Sequence, residues 1–265
     1  MEANRQVAFV LASTDHGTMI VNRNDHATGP GGAVYGVGIE ILSQSHYTGE
    51  SVALLRRLLD LLRQSRGDGL IALDGGANLG VMTIELARHM TGWGSILAIE
   101  AQERVYYALA GNIAINNCFN ARALNAVLAE RPGMARVPVP DYLRPGSFGS
   151  LEMRRTAATE FIGQPIDYGA AATAPVAAVA VDSLSLPRLD LLKIDVEGME
   201  LDVIAGARAT LARHRPLVFA EHLKVGFEAL RDGLMSLGYA VRRHGRDLLG
   251  VHADDPVGRH IQWSQ

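Results

Sequence analysis

The sequence predicts an α/β fold, in which helices cover both faces of a mostly parallel sheet. Two observations predict it: short apolar segments alternate with segments of helical period, and a glycine-rich bend joins the first such strand to its helix. With 265 residues, of which 48% are hydrophobic and 20% charged, the chain is long enough for one well-buried domain. We therefore expect a doubly wound domain with a small extension at its N-terminus.

Residues 1–45 carry several glycine, asparagine and aspartate turn signals and little helical period. They predict a small N-terminal extension of strands and loops, followed by the main domain over residues 46–265. Apolar side chains then recur at helical spacing over residues 50–64, and Thr48 is the expected N-cap of this helix. The helix is expected to lead into the main sheet.

The main sheet is predicted from alternating strand and helix patterns along the rest of the chain. The first half contains strands over residues 70–73, 96–99 and 123–127, with helices over 81–89 and 105–116. The second half contains strands over 189–194 and 216–220, helices over 199–211 and 227–237, and a final hairpin of strands over 239–242 and 248–251. Between the halves, residues 134–180 are rich in proline, glycine and alanine and predict an insertion. Such an insertion either shapes a substrate pocket or forms an ordinary surface loop.

Charge, cysteine content and hydropathy restrict the classes of partner. The formal net charge of -3 gives the whole protein no attraction to nucleic acid or acidic lipid, and we expect neither nucleic acid nor a membrane as a partner. No run approaches the ~20 consecutive apolar residues of a membrane-spanning helix. The single cysteine, Cys118, excludes an intramolecular disulfide and agrees with a reducing compartment, so we expect a cytoplasmic protein.

A glycine-rich bend, residues 74–80, follows the first predicted strand and begins the next helix. Its sequence, DGGANLG, places glycines where the backbone turns tightly beside a ligand, so Gly76, Asn78 and Gly80 are candidate ligand contacts. The glycines alone also fit a loose dinucleotide-binding fingerprint. Asp74 favours a cationic ligand, because a carboxylate repels a pyrophosphate but attracts the ammonium and sulfonium groups of S-adenosylmethionine. The alternative role of Asp74 is an Asx turn that caps the loop.

Glu100 ends the second predicted strand, where an acidic side chain can accept hydrogen bonds from both hydroxyl groups of a ribose. Both S-adenosylmethionine and NAD contain such a ribose, so Glu100 indicates an adenosine-containing cofactor without choosing between them. Ala101 follows directly, and Asn125 and Ala126 lie around the end of the third strand, where the adenine ring is expected. These residues complete the predicted cofactor site.

The segment KIDVEGME, residues 193–200, brings several charged side chains to the end of the fourth main strand. Strand alternation places Lys193 and Asp195 on one side of the sheet. Glu197 lies at the strand tip, and Glu200 starts the following helix. In a doubly wound sheet this strand lies beside the first, so Asp195 is expected to project into the same cleft as the glycine-rich bend and to contact the cofactor there.

These motifs together resemble those of the FkbM methyltransferase family: a D-x-G-A-N-x-G bend, an acidic residue that ends the second strand, and K-x-D-x-E-G-x-E before a helix. The resemblance extends over roughly residues 35–225 and departs from the family at Ala101, where proline is often found. It implies a seven-stranded sheet with the last strand inserted antiparallel, and S-adenosylmethionine-dependent O-methylation of sugars or other secondary-metabolite hydroxyls. The residues that it implies as cofactor contacts are Asp74, Gly76, Asn78 and Glu100, and those that it implies as facing the reaction are Asp195 and Glu197.

Methyl transfer to a hydroxyl needs a base near the acceptor oxygen, and the sequence offers several candidates. Asp195 or Glu197 could accept the proton, and Lys193 on the same strand face could keep Asp195 ionised. His222, which directly follows Glu221 at the end of the next strand, is a second candidate because an imidazole titrates near neutral pH. The side chains expected to contact the acceptor are Tyr47, Lys193 and Glu221.

Other interpretations of the same residues stay open at this point. A divalent metal ion could be bound by Asp195, Glu197, Glu221 and His222, although the chain has no compact metal-ligand spacing that would predict one. The domain could be an NAD-dependent oxidoreductase, which explains Glu100 but not the charged segment 193–200. It could also be a non-catalytic binding module with a methyltransferase-like fold. The acceptor is expected to be a small molecule or glycan, and the sequence does not indicate the oligomeric state.

Overall fold

The N-terminal part of the protein forms two small hairpins and two helices. The computed structural model describes residues 6–261, so the outer ends of the predicted ranges 1–45 and 46–265 lie outside the described residues. The paired antiparallel strands are β1 (Phe9–Thr14) with β2 (Gly17–Asn22), and β3 (Ala27–Thr28) with β4 (Val34–Tyr35). The helices are α1 (Val37–Gln44) and α2 (Gly49–Arg66).

The sequence predicts α2 but not α1. α2 confirms the helix predicted over 50–64 and buries its apolar face, including Leu55 and Leu62. Thr48 occupies the N-cap position, as predicted, but does not cap α2 with its side chain. Its backbone is left-handed (φ 51°) and its hydroxyl makes no capping hydrogen bond, since a side-chain cap needs extended backbone. α1 escapes prediction because its eight residues include Gly38 and are too few to show a clear helical period.

The first half of the central sheet follows the predicted order of strand and helix. Its elements are β5 (Leu70–Gly75), α3 (Val81–His89), β6 (Gly94–Glu100), α4 (Glu103–Ile115) and β7 (Ala121–Asn125). α3 coincides with its predicted range, and the three strands overlap theirs. The alternation of strand and helix is confirmed here.

The insertion near residues 134–180 is folded and contains two strands of a second, smaller sheet. After β7 the chain forms β8 (Val127–Leu128), β9 (Gly133–Pro138) and β10 (Thr173–Val179). β10 lies between the other two strands, parallel to β8 and antiparallel to β9. Between β9 and β10 the chain buries Phe148, Leu151 and Ile162. The small sheet therefore anchors a segment with its own packed side chains.

The second half of the sheet begins at β11 (Leu191–Ile194). It continues with α5 (Glu200–Ala205), α6 (Arg208–His214), β12 (Leu217–Glu221), α7 (Phe227–Met235), β13 (Tyr239–His244) and β14 (Asp247–His252). The helix predicted over 199–211 is in fact two helices. At Gly206, between them, a Cβ would lie 2.2 Å from the carbonyl oxygen of Ala129, so a close approach of the chain accompanies the break.

The seven main strands lie in the order β13-β14-β12-β11-β5-β6-β7. All are parallel except β14, which runs antiparallel between β12 and β13. β5 lies between β6 and β11, which is the point where the strand order reverses. The sheet thus confirms the predicted doubly wound α/β fold. Across residues 6–261, no helix combines the length and apolar character that crossing a membrane requires.

Candidate active site

A cleft of about 290 Å³ opens at the carboxyl ends of β5, β6, β11 and β12. Ligands of doubly wound sheets bind in this position, outside the strand ends where the strand order reverses. The N-terminal extension contributes Tyr35 to the wall of the cleft, the segment between α1 and α2 contributes Tyr47, and the insertion contributes Ser147 and Leu151. The wall therefore combines predicted site residues with segments that lie outside the main sheet.

The glycine-rich bend connects β5 to α3 and is held against β6. The N–H groups of Gly76 and Ala77 both donate to the carbonyl oxygen of Ile99, each at 3.0 Å. Gly76 has φ 71°, and a Cβ there would lie 1.7 Å from the carbonyl oxygen of Asp195. Only glycine lets the bend approach the end of β11 this closely. Gly76 and Asn78 both line the cleft.

Asp74 lies beneath the cleft and does not line it, contrary to the expectation that it faces a ligand. Its side chain is fully buried: Oδ2 accepts a 2.6 Å hydrogen bond from the Thr83 hydroxyl, and Oδ1 forms an ion pair with Lys193 Nζ at 3.1 Å. The strand register explains this placement, because Lys193 and Asp74 are direct neighbours on β11 and β5. The charge of Asp74 is therefore compensated by Lys193 and is not presented to the ligand.

Lys193 joins the bend to the end of β11. Its Nζ donates a 2.9 Å hydrogen bond to the carbonyl oxygen of Gly76 and lies 3.6 Å from Asp195 Oδ2. Burial lowers the pKa of Lys193, but the carboxylates of Asp74 and Asp195 outweigh this effect and raise the pKa above its usual value. Lys193 therefore carries a fixed positive charge between the bend and Asp195.

Glu100 lines the cleft with a carboxylate that is held in place. The residue is 6% exposed; Oε2 accepts a 3.0 Å hydrogen bond from the N–H of Asn78, and Oε1 accepts a 2.8 Å bond from the N–H of Gln102. Burial raises the pKa of Glu100 to about 6, against the lowering effect of these two bonds. Each carboxylate oxygen has two lone pairs, so acceptor capacity remains for a ligand in the cleft.

The other residues predicted for the cofactor divide into two groups. Ala101 and Ala126 line the cleft, as Glu100 does. Asn125 does not line it: its side-chain amide donates to the carbonyl oxygens of Glu100, at 2.8 Å, and Ala101, at 3.1 Å. Gly80 directly precedes α3 and also lies off the cleft wall. Asn125 therefore braces the loop that carries the cleft residues, and Gly80 shapes the end of the bend.

Three carboxylates meet at the ends of β11 and β12. One oxygen from each of Asp195, Glu197 and Glu221 lies within 4.8 Å of the others. Burial and the charges of Asp195 and Glu221 raise the pKa of Glu197 well above its usual range. Burial and Asp195 likewise raise the pKa of Glu221, which accepts a 2.7 Å hydrogen bond from Arg246 Nε. Glu197 Oε2 lies 3.8 Å from Lys224 Nζ. This crowding favours a proton, or a cation, within the cluster.

His222 lies outside the cleft, contrary to its predicted part as a base or metal ligand. Its Nε2 is 3.3 Å from the carbonyl oxygen of Gly245, and its ring packs edge-on against Phe227 with ring centroids 5.4 Å apart. Successive residues at the end of a strand point to opposite sides, so Glu221 enters the cleft and His222 does not. A hard divalent cation, which prefers oxygen ligands, would have to use the carboxylates of Asp195, Glu197 and Glu221.

Several further cleft residues are not predicted by any motif, namely Tyr35, Gln102, Leu151, Arg246 and Asp247. Gln102 connects the cofactor side to the insertion, because its amide donates to the carbonyl oxygen of Phe148 at 2.8 Å and accepts from the Tyr142 hydroxyl at 3.1 Å. Arg246 occupies the turn of the predicted final hairpin, and this turn lies beside the end of β12. The predicted turn is therefore the sequence signal that could have identified Arg246 as a cleft residue. The remaining residues lie in segments whose contacts depend on the complete fold.

The fold and the cleft together define the class of protein. The sheet has seven strands, and its one antiparallel strand, β14, lies between β12 and β13. The ligand cleft lies where the strand order reverses. This combination is that of a Rossmann-like methyltransferase. A family model described as the methyltransferase FkbM domain matches residues 74–241, which is more than half of the chain. The protein belongs to the FkbM methyltransferase family, as its motifs predict. Family membership decides against an NAD-dependent oxidoreductase.

Comparison with solved structures finds several partial matches. An FkbM methyltransferase from Methylobacillus flagellatus has 16% identity and a TM-score of 0.49, with 70% of this chain and 44% of that chain covered. Precorrin-6y C5,15-methyltransferase from Geobacter metallireducens has 14% identity and a TM-score of 0.45, with 78% and 89% covered. Magnesium protoporphyrin IX methyltransferase from Synechocystis, solved with bound SAM, has 12% identity and a TM-score of 0.41, with 77% and 79% covered. The chain thus spans less than half the length of the first of these proteins. No curated protein matches the sequence.

Proposed function

We propose that the protein transfers a methyl group from S-adenosylmethionine to a hydroxyl oxygen of a sugar or another small-molecule or glycan acceptor. The observation that carries the proposal is a single cleft lined both by Glu100, a carboxylate suited to a ribose, and by Asp195, a carboxylate suited to deprotonating a hydroxyl. The family supplies the class of reaction, and the cleft suggests which residues bind the cofactor and which deprotonate the acceptor. The single cysteine also supports a cytoplasmic location.

The Glu100 side of the cleft fits the adenosyl part of the cofactor. Glu100 has acceptor capacity to spare, and two backbone N–H groups orient its carboxylate. Gly76 and Asn78 bring the main chain to the surface of the cleft, while the small side chains of Ala101 and Ala126 leave space for a flat ring. We therefore assign these five residues as cofactor contacts.

Asp74 contributes to this site indirectly. Direct attraction between its charge and a cationic cofactor is not the explanation, because Lys193 already compensates that charge at 3.1 Å. Instead, Asp74 and its partner Thr83 fix the position of Lys193, whose ammonium group holds the carbonyl oxygen of Gly76. The ion pair thus supports the bend on which the cofactor would lie.

The Asp195 side of the cleft fits the acceptor. When bound, S-adenosylmethionine supplies a methyl group that its sulfonium charge activates. Asp195 would accept the proton that the hydroxyl loses, with the positive charge of Lys193 3.6 Å away. The raised pKa of Glu197 keeps it protonated near neutral pH, so we assign it as a hydrogen-bond donor and not as the base.

Tyr47 and Glu221 are the proposed acceptor contacts beside Asp195. Both line the cleft. Burial, and after it the charge of Asp195, raises the pKa of each side chain, which reflects how close both lie to that carboxylate. An acceptor between them would meet one phenol donor and a group of carboxyl oxygens, which suits a hydroxyl-bearing molecule.

Transfer of a labelled methyl group from S-adenosylmethionine to a panel of methyl glycosides and hydroxylated small molecules tests the proposal. We expect a methyl ether product from the wild type, and loss of turnover but retained S-adenosylhomocysteine binding in Asp195→Asn. Asp68→Asn is a matched control, because Asp68 is exposed and precedes β5 at the end of the sheet opposite the cleft. Binding of S-adenosylhomocysteine without methylation of any acceptor would favour the non-catalytic binding module. Absence of binding would refute the proposal.

A further inference from the structure

We infer that the β1–β2 hairpin positions the acceptor side of the cleft, with His16 as the positioning residue for Tyr47. Tyr47 lines the cleft, whereas His16 lies behind it. The term acceptor side rests on the proposed function, but the contact between His16 and Tyr47 does not. The inference gives the N-terminal extension a defined part in the site.

His16 occupies the turn between β1 and β2 and is almost fully buried, with 3% exposed. Its Nδ1 lies 2.9 Å from Oε1 of Glu85 on α3, and its Nε2 lies 3.0 Å from the backbone nitrogen of Tyr47. Arg88, also on α3, donates to the carbonyl oxygen of His16 at 2.7 Å. The ring is therefore held from α3 and presents one nitrogen to Tyr47.

The hydrogen bonds fix which nitrogen of His16 carries the proton. The backbone N–H of Tyr47 can only donate, so Nε2 must accept and carries no hydrogen. Nδ1 then carries the proton and donates it to the carboxylate of Glu85. This bond holds the pKa of Glu85 below its usual value. Glu85 thus sets the tautomer that Tyr47 requires.

The segment that His16 holds, residues 45–48, has an unfavourable backbone conformation. Ser45 (φ 56°) and Thr48 (φ 51°) are both left-handed, a conformation that favours glycine. Besides the bond from Tyr47 to His16, the N–H of Asp15 donates to the carbonyl oxygen of Ser45 at 2.9 Å. Two hydrogen bonds from the hairpin turn therefore hold this segment in place.

A second contact supports the same segment. The ring of His46 stacks on that of His16, with ring centroids 5.1 Å apart. The carboxylate oxygen Oδ2 of Asp15 also lies 3.6 Å from Nδ1 of His46. Both residues of the turn, Asp15 and His16, therefore contact this segment through more than one group.

Tyr47 is the point where this conformation reaches the cleft. Burial and the negative charge of Asp195 raise the pKa of the Tyr47 phenol. The hydroxyl therefore keeps its proton and can donate a hydrogen bond. Glu100 and Gly76 are held by hydrogen bonds of their own. Displacing Tyr47 should therefore weaken acceptor binding and leave the cofactor side intact.

Two substitutions at His16 separate the roles of its two ring nitrogens. Glutamine places an amide oxygen near the former Nε2 and keeps an acceptor for the N–H of Tyr47. Asparagine reaches only the former Nδ1, so it keeps a donor for Glu85 but leaves Tyr47 without an acceptor. Both variants lose the ring and its stacking on His46, so this loss is common to the two and does not distinguish them.

Hydrogen exchange of the Tyr47 amide, followed by NMR, tests the inference without any substrate. We expect near-wild-type protection in His16→Gln and protection lower by on the order of tenfold in His16→Asn, as the loss of one hydrogen bond predicts. In the methyl-transfer assay, His16→Asn should raise the acceptor KM by on the order of tenfold, with S-adenosylhomocysteine affinity within about twofold of wild type. Equal protection in both variants, or lower protection in His16→Gln, would overturn the inference.

The nitrogen chemical shifts of the His16 ring in the wild type provide a check that needs no variant to fold. A protonated Nδ1 and a bare Nε2 support the inference, and the opposite tautomer overturns it. Failure of the wild type to bind S-adenosylhomocysteine would refute the proposed function alone. The exchange and tautomer measurements would still decide whether His16 holds Tyr47.

Discussion

Glu100→Gln removes one negative charge from the cleft and changes the hydrogen bonding at both carboxylate oxygens. In the wild type, Oε2 accepts from the N–H of Asn78 and Oε1 from the N–H of Gln102. A glutamine side chain has one acceptor oxygen, so its amide nitrogen must face one of these two donors. The substituted side chain can therefore no longer serve both backbone groups and a ribose.

The size of the effect follows from the bond that the ligand would lose. A hydrogen bond to a charged group contributes ~1.5–3 kcal/mol, whereas a bond between neutral groups contributes about 1 kcal/mol. At about 1.4 kcal/mol for each tenfold change, loss of one charged bond to the ribose predicts a Kd for S-adenosylhomocysteine that is higher by roughly 10- to 100-fold.

Calorimetric titration of both proteins with S-adenosylhomocysteine at neutral pH measures this change. Glu103→Gln is the matched control, because Glu103 undergoes the same substitution three residues further on, where it is exposed in the first turn of α4. A change in Kd of less than roughly threefold for Glu100→Gln, or an equal change in the control, would refute the ribose assignment.

Four further predictions concern the acidic side chains of the cleft. Asp195→Asn should lower kcat by ~10²–10⁴ in the methyl-transfer assay. Glu197→Gln should lower it much less, because Glu197 is already neutral near neutral pH, and an equally large loss would make Glu197 the base. Protein stability, followed by thermal unfolding, should fall as pH rises through about 6: burial raises the pKa of Glu100, so the native state still holds a proton that the unfolded chain has released. Glu100→Gln should weaken this fall, and an unchanged pH profile would count against the buried charge. Dialysis against a chelator should leave methyl transfer intact, whereas activity that returns only with added Mg²⁺ would assign Asp195, Glu197 and Glu221 to a divalent cation.

Features that depend on local rules were predictable from the sequence. α3 begins and ends where its apolar spacing and the preceding glycine bend place it. Glu100 and Asp195 reach one cleft because parallel strands that meet where the strand order reverses end at the same edge of the sheet. Strand order, sheet direction and the main cleft therefore follow from pattern and topology.

The direction of side chains at the strand ends was not predictable in the same way. Asp74 is the first residue of the bend, yet its carboxylate turns inward because Lys193 lies directly opposite on β11. His222 follows Glu221 by one residue and points away from the cleft, where it meets Gly245 and Phe227. In both cases a partner on another strand or loop decides the orientation, and no local pattern records it.

Individual contacts between distant segments could not be predicted from the sequence either. His16 and Glu85 are 69 positions apart, and the role of the hairpin becomes visible only when α3 lies beside it. Ser147 and Leu151 reach the cleft because the small sheet of β8, β9 and β10 anchors the insertion. Such contacts arise from packing of the complete fold, which no single segment determines.

The structure of the protein with S-adenosylhomocysteine bound tests the central claim most directly. We predict ribose hydroxyls within hydrogen-bond distance of the Glu100 carboxylate and a sulfur atom directed toward Asp195. A ribose bound away from Glu100, or a sulfur that faces away from Asp195, would contradict the assignment of one cleft to both the cofactor and the base.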